Sequence, residues 1–470
     1  MRLVHNSDVE EMLFTGIEGD PEFKVIENTC NYSKSCYTLV EFTASTEGFK
    51  KATIYSTLYS NGEPVYYLGF GMTAYVLEQG LPPECNVYAI GSIIKIDEKS
   101  VSERVPVVGV PFELFYSSDH SKDFEPIYSN ASRVNSFNPE GWTISILHHL
   151  NTEEKNLFLG SGKLLKRTPK PDSSGNLLVV NGDEVYVFDP SGKHLATKSI
   201  LTGFTKYSFS YTTDNKINKI TDAYGKETVF TRNLNGGLES IVGPYGQVTQ
   251  IGLDVEGRIN SITNPLSQSY HITYEVGEDP EDFIHTFTKP SGIQTEFLFE
   301  DGFLVSDEGN GGNGWEIVYG IEGTALKTEL KSELDRNTVY ITDVNLDTGM
   351  YYRTETKPYG LVTTFSEGPD RSHQMSNPFE SSIKTTQSDE RFGDAHKRDA
   401  TYSETVSGVT RLTEYLQSVT LSDPNDPFSY SEILNTVKVN GVATTNKFVK
   451  STMTSTITSP TGVQTFVQLD

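Results

Sequence analysis

The stretches AYGKETVF (223–230), PYGQVTQI (244–251) and PLSQSYHI (265–272) are three copies of one short phrase. Three further copies read PSGIQTEF (290–297), PYGLVTTF (358–365) and PTGVQTFV (460–467). Its Gly position, which is Ser267 in one copy, is always followed five residues later by an apolar residue. The steps from 225 to 246 and from 246 to 267 are both 21 residues, and the next is 25. Such a period predicts a repeat architecture.

Each copy has the pattern of a turn followed by a strand. Pro fixes φ near the value that a turn needs, and Gly tolerates positive φ. The residues that follow alternate in polarity, as in 247–251, which is typical of a half-buried strand. A second turn, such as Asp254 to Arg258, closes each unit, so one unit is two strands and two turns. The turn residues with this predicted architectural role are Gly225, Pro244, Gly246, Asp254, Gly257, Arg258, Pro265, Pro290, Gly292, Pro358, Gly360, Pro460 and Gly462.

The segment LDVEGRINSITNP (253–265) carries a family resemblance. It resembles the YD repeat of Rhs proteins, which teneurins and the C components of Tc toxins share, with Leu253 in place of the namesake tyrosine. The unit at Tyr211 keeps the tyrosine but has Asn215 and Lys216 where Gly and Arg are usual. The resemblance covers roughly residues 105–470 and implies that the chain is a piece of a larger Rhs protein.

The resemblance implies an all-β fold, in which YD-repeat hairpins form a spiralling sheet that is part of a hollow shell. Four regions are expected along the chain. They are a smaller N-terminal β-sandwich-like domain that acts as a plug or cap (1–104), a segment that leads into the shell (105–206), the clearest repeats (207–309), and degenerate repeats (310–470) with a polar, exposed insertion near 367–400.

The N-terminal region has strand patterns but no copy of the repeat. One short helix is predicted from Asn6 to Leu13, with Asn6 or Ser7 as its N-cap. Cys30 and Cys36 could close a small disulfide loop and leave Cys85 free, although three ordinary thiols fit the sequence equally well.

The charge balance excludes one class of partner. Lys and Arg total 38 and Asp and Glu total 63, for a net charge of −25. Because phosphate binding needs basic patches, nucleic acid is not expected as a partner. An acidic lining that faces a basic cargo is compatible with this charge. No membrane span and no signal peptide are evident. The expected location is therefore secreted or cell-surface, as part of a longer protein.

Catalytic and metal-binding patterns are weak. Asp189 to Gly192 has the first letters of the Asp-Pro-x-Gly-Leu motif found in the self-cleaving segment of Rhs relatives, but a plain turn explains it better. Adjacent His148 and His149 should point to opposite faces of a strand, and His373 and His396 have no ligand spacing. No catalytic residue, cofactor or metal is predicted, and the chain is not expected to be an enzyme.

The recurring tyrosines near the turns raise the question of glycan binding. In a repeat sheet, stacking of one unit on the next is the more common role of such residues. Packing is therefore expected for Tyr211, Tyr224, Tyr245, Tyr270 and Tyr359.

The resemblance implies a structural function: a shell that encloses and shields another polypeptide, commonly a C-terminal toxin that this chain does not contain. A teneurin-like module that binds a protein or glycan at the cell surface is the alternative. A polysaccharide-active enzyme is less favoured, because the repeats present no close set of carboxylates.

Overall fold

A computed structural model describes residues 2–6, 11–19, 23–33, 35–42, 48–60, 63–76, 86–89, 92–96, 99–118, 136–137, 139–153, 155–275, 283–345 and 347–468. The chain divides into two compact units. The first comprises residues 1–78, 123–133 and 344–350, and the second comprises 79–122, 134–343 and 351–470. Among the described residues, no helix is long and apolar enough to cross a membrane.

Strands make up almost all of the regular structure. In chain order they are β1 (Arg2–Asn6), β2 (Glu11–Gly19), β3 (Phe23–Asn28), β4 (Asn31–Ser33), β5 (Ser35–Phe42), β6 (Gly48–Ser60), β7 (Glu63–Val76), β8 (Asn86–Ala89), β9 (Ser92–Lys95), β10 (Ser100–Pro106), β11 (Glu113–Ser117), β12 (Trp142–Ile144), β13 (His149–Asn151), β14 (Asn156–Phe158), β15 (Leu164–Lys166), β16 (Lys170–Pro171), β17 (Leu177–Asn181), β18 (Glu184–Phe188), β19 (His194–Ser199), β20 (Thr205–Tyr211), β21 (Ile217–Asp222), β22 (Glu227–Arg232), β23 (Leu238–Val242), β24 (Val248–Leu253), β25 (Ile259–Thr263), β26 (Ser269–Tyr274), β27 (Ile284–Thr288), β28 (Gln294–Glu300), β29 (Phe303–Gly309), β30 (Asn313–Glu322), β31 (Ala325–Ser332), β32 (Asn337–Asn345), β33 (Met350–Thr356), β34 (Val362–Glu367), β35 (His373–Ser376), β36 (Glu380–Asp389), β37 (Gly393–Val406), β38 (Val409–Leu421), β39 (Tyr430–Val439), β40 (Val442–Val449), β41 (Thr454–Thr458) and β42 (Gln464–Gln468). A short 3-10 helix spans Lys450–Thr452.

The first unit contains two sheets, with strand orders β1-β5-β3 and β4-β2-β6-β7. The helix predicted from Asn6 to Leu13 is wrong in its described part. Asn6 ends β1, and Glu11 to Leu13 belong to β2, which pairs with β6 along most of its length. That pairing outweighs a weak local capping signal, while Ser7 lies outside the described residues. Cys30 is buried and disulfide-bonded.

The second unit is built on one antiparallel sheet of 27 strands, β16 to β42, which are hydrogen-bonded in chain order. Consecutive turns therefore lie on alternate rims of the sheet. The order begins at β16 and ends at β42 without pairing these two strands, so the sheet is not closed into a barrel. This confirms the all-β repeat sheet expected from the phrase.

The turns follow the predicted chemistry. Asp254 Oδ1 accepts the backbone N–H groups of Glu256 at 3.1 Å and Arg258 at 2.8 Å. Its other oxygen accepts Arg258 Nε at 2.8 Å. Gly257 sits at the corner with a φ of 87°, in the left-handed region that favours glycine. The aspartate side chain thus accepts hydrogen bonds from backbone N–H groups of the turn that would otherwise need other partners.

A second, five-stranded sheet covers part of the large one. Its strand order is β12-β11-β10-β9-β8, so the expected domain boundary at residue 104 falls inside it. Its buried apolar side chains form a single core with those of β20 to β32. Trp142 is central to this contact: it donates from Nε1 to the Tyr274 hydroxyl at 3.0 Å, and Tyr274 donates to the Ile259 carbonyl at 2.8 Å.

The burial of the apolar residue that ends each phrase shows where the covering sheet ends. Phe230, Ile251, Ile272 and Phe297 are all buried in the shared core. In the last two copies, Phe365 is half-buried and Val467 is exposed. The register of the phrase therefore persists after the covering sheet has ended.

The polar segment 367–400 is not a loop. It contains β35, β36 and the first half of β37, and all three are regular members of the large sheet. Its mixed charges reflect strands whose two faces are both partly solvated, rather than an insertion.

The buried phrase residues should contribute far more to stability than exposed ones of the same type. Phe297→Ala removes a ring that is fully buried, and we expect it to lower the free energy of unfolding by about 3–5 kcal/mol. Phe466→Ala, at a largely exposed position on β42, should cost less than ~1 kcal/mol. Urea unfolding of both variants tests this, and equal losses would contradict the assignment of the core.

Candidate functional site

The first and the late strands of the large sheet meet at a contact that we call the seam. It joins β17–β19 and the turn after β19 to the turns that follow β36 and β38. Phe392, from the first of these turns, is buried in a core with Leu178, Val180 and Val185. Phe428, from the second turn, packs on the same core, and its ring lies against Gly203. Strands twenty places apart in the sheet order are thus in contact, as a spiral requires.

Polar contacts reinforce the seam. The Arg391 guanidinium donates to the Ile200 carbonyl at 2.5 Å, and Lys170 Nζ donates to the Arg391 carbonyl at 2.8 Å. Arg391 also lies 3.6 Å from Asp389, and both side chains are almost fully buried. Burial lowers the pKa of His396, beside this pair, to about 4. Sequence reasoning missed this cluster, because Arg391 lies 191 residues from Ile200 and 221 residues from Lys170 in the chain.

Strands β17 and β18 are buried on both faces. One face, with Val179, Tyr186 and Phe188, packs on Leu150 and Leu157 of the small sheet β13-β14-β15. The opposite face forms the seam. The turn Asp189 to Gly192 connects β18 to β19, and the Leu150 amide donates to the Gly192 carbonyl at 3.0 Å. The Asp-Pro-x-Gly segment is therefore a close-packed turn.

A row of exposed apolar side chains lies on one face of the late strands, and we call it the apolar stripe. Direct cross-strand partners place Tyr352, Ser366, Gln374, Ile383, Ser403 and Leu412 on one face. Leu416 and Leu434 continue that face, and the partners of Leu434 lead through Lys447 and Thr456 to Phe466. The members of the stripe are Tyr352, Ile383, Leu412, Leu416, Leu434 and Phe466, all exposed.

The surroundings of the stripe are mainly uncharged. Thr385 and Thr401 share a hydrogen bond of 2.7 Å across β36 and β37, and Thr405 and Thr410 share one of 2.9 Å. Such pairs stabilise a sheet without charge. The same register also places Glu414, Glu432, Lys438 and Lys447 on this face, so its charges balance although the chain has a net charge of −25.

One rim of the sheet carries a second exposed set, which we call the apolar rim. It occupies the third position of turns on the same side, and each residue is at least 72% exposed: Tyr224, Tyr245, Leu266, Leu334 and Tyr359. The expectation that these tyrosines pack is wrong for Tyr224, Tyr245 and Tyr359. It holds for Tyr211 and Tyr270, which contact the shared core. The three exposed tyrosines do not stack on neighbouring units, because they lie at turn tips that project beyond the strands.

The opposite rim provides a natural comparison. The third turn position there is polar, as in Asp214, Asn235, Glu256 and Asp370. Two exposed aliphatic residues, Leu234 and Val255, occupy the second position instead. Since turns of both rims place a residue with positive φ, most often Gly, in the next position, the turn conformation does not require an aromatic residue.

Two buried carboxyl groups meet where β10 packs on β29. Glu103 accepts a hydrogen bond of 2.5 Å from Ser92. Neither oxygen of Asp307 has a partner within 3.5 Å among the described residues, although Ser92 is close enough to lower its pKa slightly. Burial raises the pKa of both to about 7, and the charge of Glu103 adds to the rise at Asp307. Lys289 partly offsets both shifts. The sequence did not single out this pair, since the two residues belong to different sheets.

The two adjacent histidines differ as expected. His148 is buried, and its ring lies 4.1 Å from that of Tyr186 and 5.0 Å from that of His194. His149 is half-buried and stacks on Phe158. His373 and His396 lie in β35 and β37. In the described part of the chain, no three His, Cys, Asp or Glu residues are grouped to hold a metal ion.

Comparison with known proteins agrees with this architecture. The family model described as Teneurin YD-shell matches residues 175–460. The chain belongs to the teneurin YD-shell family, within the wider Rhs/YD-repeat group.

Individual relatives match over short stretches. Teneurin-m of Drosophila melanogaster is 38% identical over 61 residues, which is 12% of this chain and 2% of the relative. Teneurin-4 of Mus musculus is 47% identical over 53 residues, covering 11% of this chain and 2% of the relative. The chain thus matches only a small fraction of either teneurin's length.

A solved structure described as TcdB2-TccC3-TEV is also similar. It covers 93% of this chain and 25% of its own chain, at 10% identity and a TM-score of 0.29. At that TM-score, the likeness carries no argument about the activity of this chain.

The carboxyl pair predicts an unusual response to pH. A carboxyl group with a raised pKa in the folded state costs stability as pH rises from about 4 through about 7, and the full cost applies above that range. Asp307→Asn removes one ionising group, so we expect the variant to be more stable than the unmodified chain at pH 8 by about 2–4 kcal/mol, with little difference at pH 4.

Thermal or urea unfolding at both pH values measures this effect. Glu308→Gln changes the exposed neighbour on the same strand and should have little effect at either pH. Destabilisation by Asp307→Asn at pH 8 would show that the ionised pair is tolerated in the native state.

Proposed function

We propose that this chain forms part of a shell that encloses another polypeptide and holds it against the apolar stripe. The stripe is the observation that carries the proposal. Its six residues lie on one continuous sheet face that no described strand covers. Burying a Leu or Phe side chain of this kind stabilises a complex by roughly 1.5–3 kcal/mol.

The chemistry of the stripe fits an unfolded or extended polypeptide. Threonine and serine hydroxyls around Ile383 and Leu412 can exchange hydrogen bonds with a peptide backbone, and the aliphatic groups can contact apolar side chains. Such contacts do not depend on one sequence, so they suit a variable cargo. The net charge of −25 favours a cargo that is neutral or basic.

The seam supports the same proposal, since contact between early and late strands keeps the sheet curved upon itself. The family, whose shells are structural, supports a non-enzymatic role for this chain. A secreted or cell-surface location fits the disulfide at Cys30, because such bonds persist in oxidising compartments.

The stripe can be tested with a reduced and alkylated, permanently unfolded protein as the probe. We expect the full chain to bind it, and the triple variant Leu412→Ser, Leu416→Ser, Leu434→Ser to bind at least ~10-fold more weakly. The control is Leu234→Ser, Val255→Ser, Leu334→Ser, which removes three aliphatic groups of greater exposure from the turns. Fluorescence titration measures both affinities.

Two outcomes would overturn the proposal. One is that the unmodified chain does not bind the unfolded probe. The other is that the stripe and control variants lose affinity equally, since general surface hydrophobicity would then explain the binding.

The apolar rim favours a second candidate function, recognition of a cell-surface protein or glycan by the outside of the sheet. Tyrosine is enriched among the interface residues that contribute most to binding energy. The opposite rim forms the same kind of turn without tyrosine, so folding of the turns does not require it. Lys226 lies 4.3 Å from the centre of the Tyr245 ring, which adds a charged group to the same surface.

This candidate predicts that Tyr224→Ser combined with Tyr245→Ser abolishes most binding of the labelled chain to target cells, measured by flow cytometry. Leu234→Ser combined with Val255→Ser, on the opposite rim, should leave binding unchanged. Loss of binding in the second variant alone would assign recognition to the other rim.

A further inference from the structure

The rings of His148 and His194, which we call the histidine pair, are held by two backbone donors. The Gly160 amide donates to His148 Nδ1 at 3.0 Å. The His148 amide donates to His194 Nδ1 at 3.3 Å. Because an accepting Nδ1 carries no proton, both rings are held as the neutral tautomer with the proton on Nε2. His194 Nε2 lies 3.1 Å from the Ala196 carbonyl, which accepts that proton's hydrogen bond.

The pair lies between two parts of the fold. His148 immediately precedes β13, in the segment that packs on one face of β17 and β18, and His194 begins β19 of the large sheet. The His148 ring contacts Tyr186, and the His194 ring stacks 4.2 Å from Phe209. The amides of Gly160 and His148 therefore help to hold β13–β15 on the large sheet, and loss of their hydrogen bonds to the two rings would weaken that docking.

We propose that the histidine pair is an acid-sensitive contact, whose protonation releases the segment β13–β15 from the first strands of the large sheet and so weakens the seam. A protonated Nδ1 would place an N–H group against the amide that now donates to it. Both hydrogen bonds would be lost, and two positive charges would be buried side by side. This proposal does not depend on what the shell encloses.

The groups around the pair do not compensate for added charge. Tyr186 faces it from β18, and Tyr211 on β20 donates from its hydroxyl to the His194 carbonyl at 2.6 Å. Both are neutral at physiological pH, since burial raises the pKa of each. The cations around these tyrosines are Arg167, which interacts with Tyr186, and Lys193, whose Nζ lies 5.4 Å from the centre of the Tyr211 ring. Asp183 and Glu184 act on Tyr186, and Asp189 acts on Tyr211. No carboxylate in the described part of the chain contributes to the behaviour of either ring.

The direction of the pH response follows from linkage. Burial lowers the pKa of His148 to about 3 and that of His194 well below its usual value, and the charge of His148 lowers it further. We call the state with β13–β15 docked closed and the state with β13–β15 released open. The free energy of opening is constant above about pH 6.5. It falls as pH drops below that value, because the open state takes up protons and the closed state does not. The equilibrium constant for opening should rise by up to roughly 10-fold per histidine for each pH unit.

The seam transmits this opening because β17 and β18 belong to both contacts. Losing β13–β15 exposes Val179 and Tyr186, so β17 and β18 are then covered on one face alone. The contact of Val180 and Val185 with Phe392 on the other face weakens, because it now rests on two strands that have lost half of their packing. His396 lies beside Phe392. The charge of Asp389 raises the pKa of His396, whereas the charges of Arg371, Arg391 and Arg167 lower it. Its protonation adds a further positive charge to a seam already rich in arginine.

The test is amide hydrogen exchange of the full chain between pH 7.5 and 5, corrected for the intrinsic pH dependence of exchange. The informative amides are those of Gly160 and His148, which donate to the two rings. We expect their protection to fall by up to roughly 100-fold per pH unit below pH 6, while the amide of Ile262 in the repeat core stays protected. Unchanged protection of both amides down to pH 5 would overturn the proposal.

Variants separate the pair from other acid effects. In His148→Asn with His194→Asn, each Asn oxygen can still accept the backbone N–H but cannot be protonated in this range, so the pH dependence should flatten. His271→Asn alters an exposed histidine and should leave it unchanged. If the double variant does not fold, the hydrogen exchange of the unmodified chain still tests the proposal. A flattened response in His271→Asn would also reject the proposal.

Discussion

The large sheet depends on covering one long apolar face. A hairpin cannot bury its apolar side chains alone, so each repeat relies on its neighbours along the sheet and on a second layer across it. The five-stranded sheet β8–β12 supplies that layer for β20 to β32, and the hydrogen bond between Trp142 and Tyr274 joins the two. Beyond β32 the same repeat continues without this cover, so Phe365 is half-buried and Val467 is exposed. The apolar stripe lies on the opposite face of these late strands, because its member Phe466 is adjacent to Val467 on β42.

The spiral and its seam follow from the same constraint. Strands β17 and β18 have apolar residues at successive positions, as expected for strands buried on both faces. Their two faces are covered by different parts of the chain, β13–β15 on one side and the turns with Phe392 and Phe428 on the other. The seam therefore links the beginning and the late part of the sheet through one pair of strands, and any loss of cover on one face weakens the other contact.

The local chemistry of the repeat could be predicted from the sequence, because it depends on neighbours a few residues apart. Asp254, Gly257 and Arg258 form the turn that the phrase indicates. Long-range features could not be predicted in this way. Glu103 and Asp307 come together because one sheet packs on another, and Arg391 and Ile200 because the large sheet curves. A periodic sequence specifies neither. The polar strands of 367–400 resembled a loop because an uncovered sheet needs few apolar residues. The exposure of Tyr224 and Tyr245 likewise depends on how far the turn tips project.

The seam also determines the order in which this chain can fold. Most pairs in the sheet form between adjacent strands and can assemble as the chain emerges, but Leu178 and Val180 must wait for Phe392, more than 200 residues later. Contacts of such sequence separation form slowly, because a long loop must close first. During synthesis, β17 and β18 therefore spend an extended period with one face bare. Nascent chains at this stage would be the species most exposed to aggregation and most dependent on chaperones.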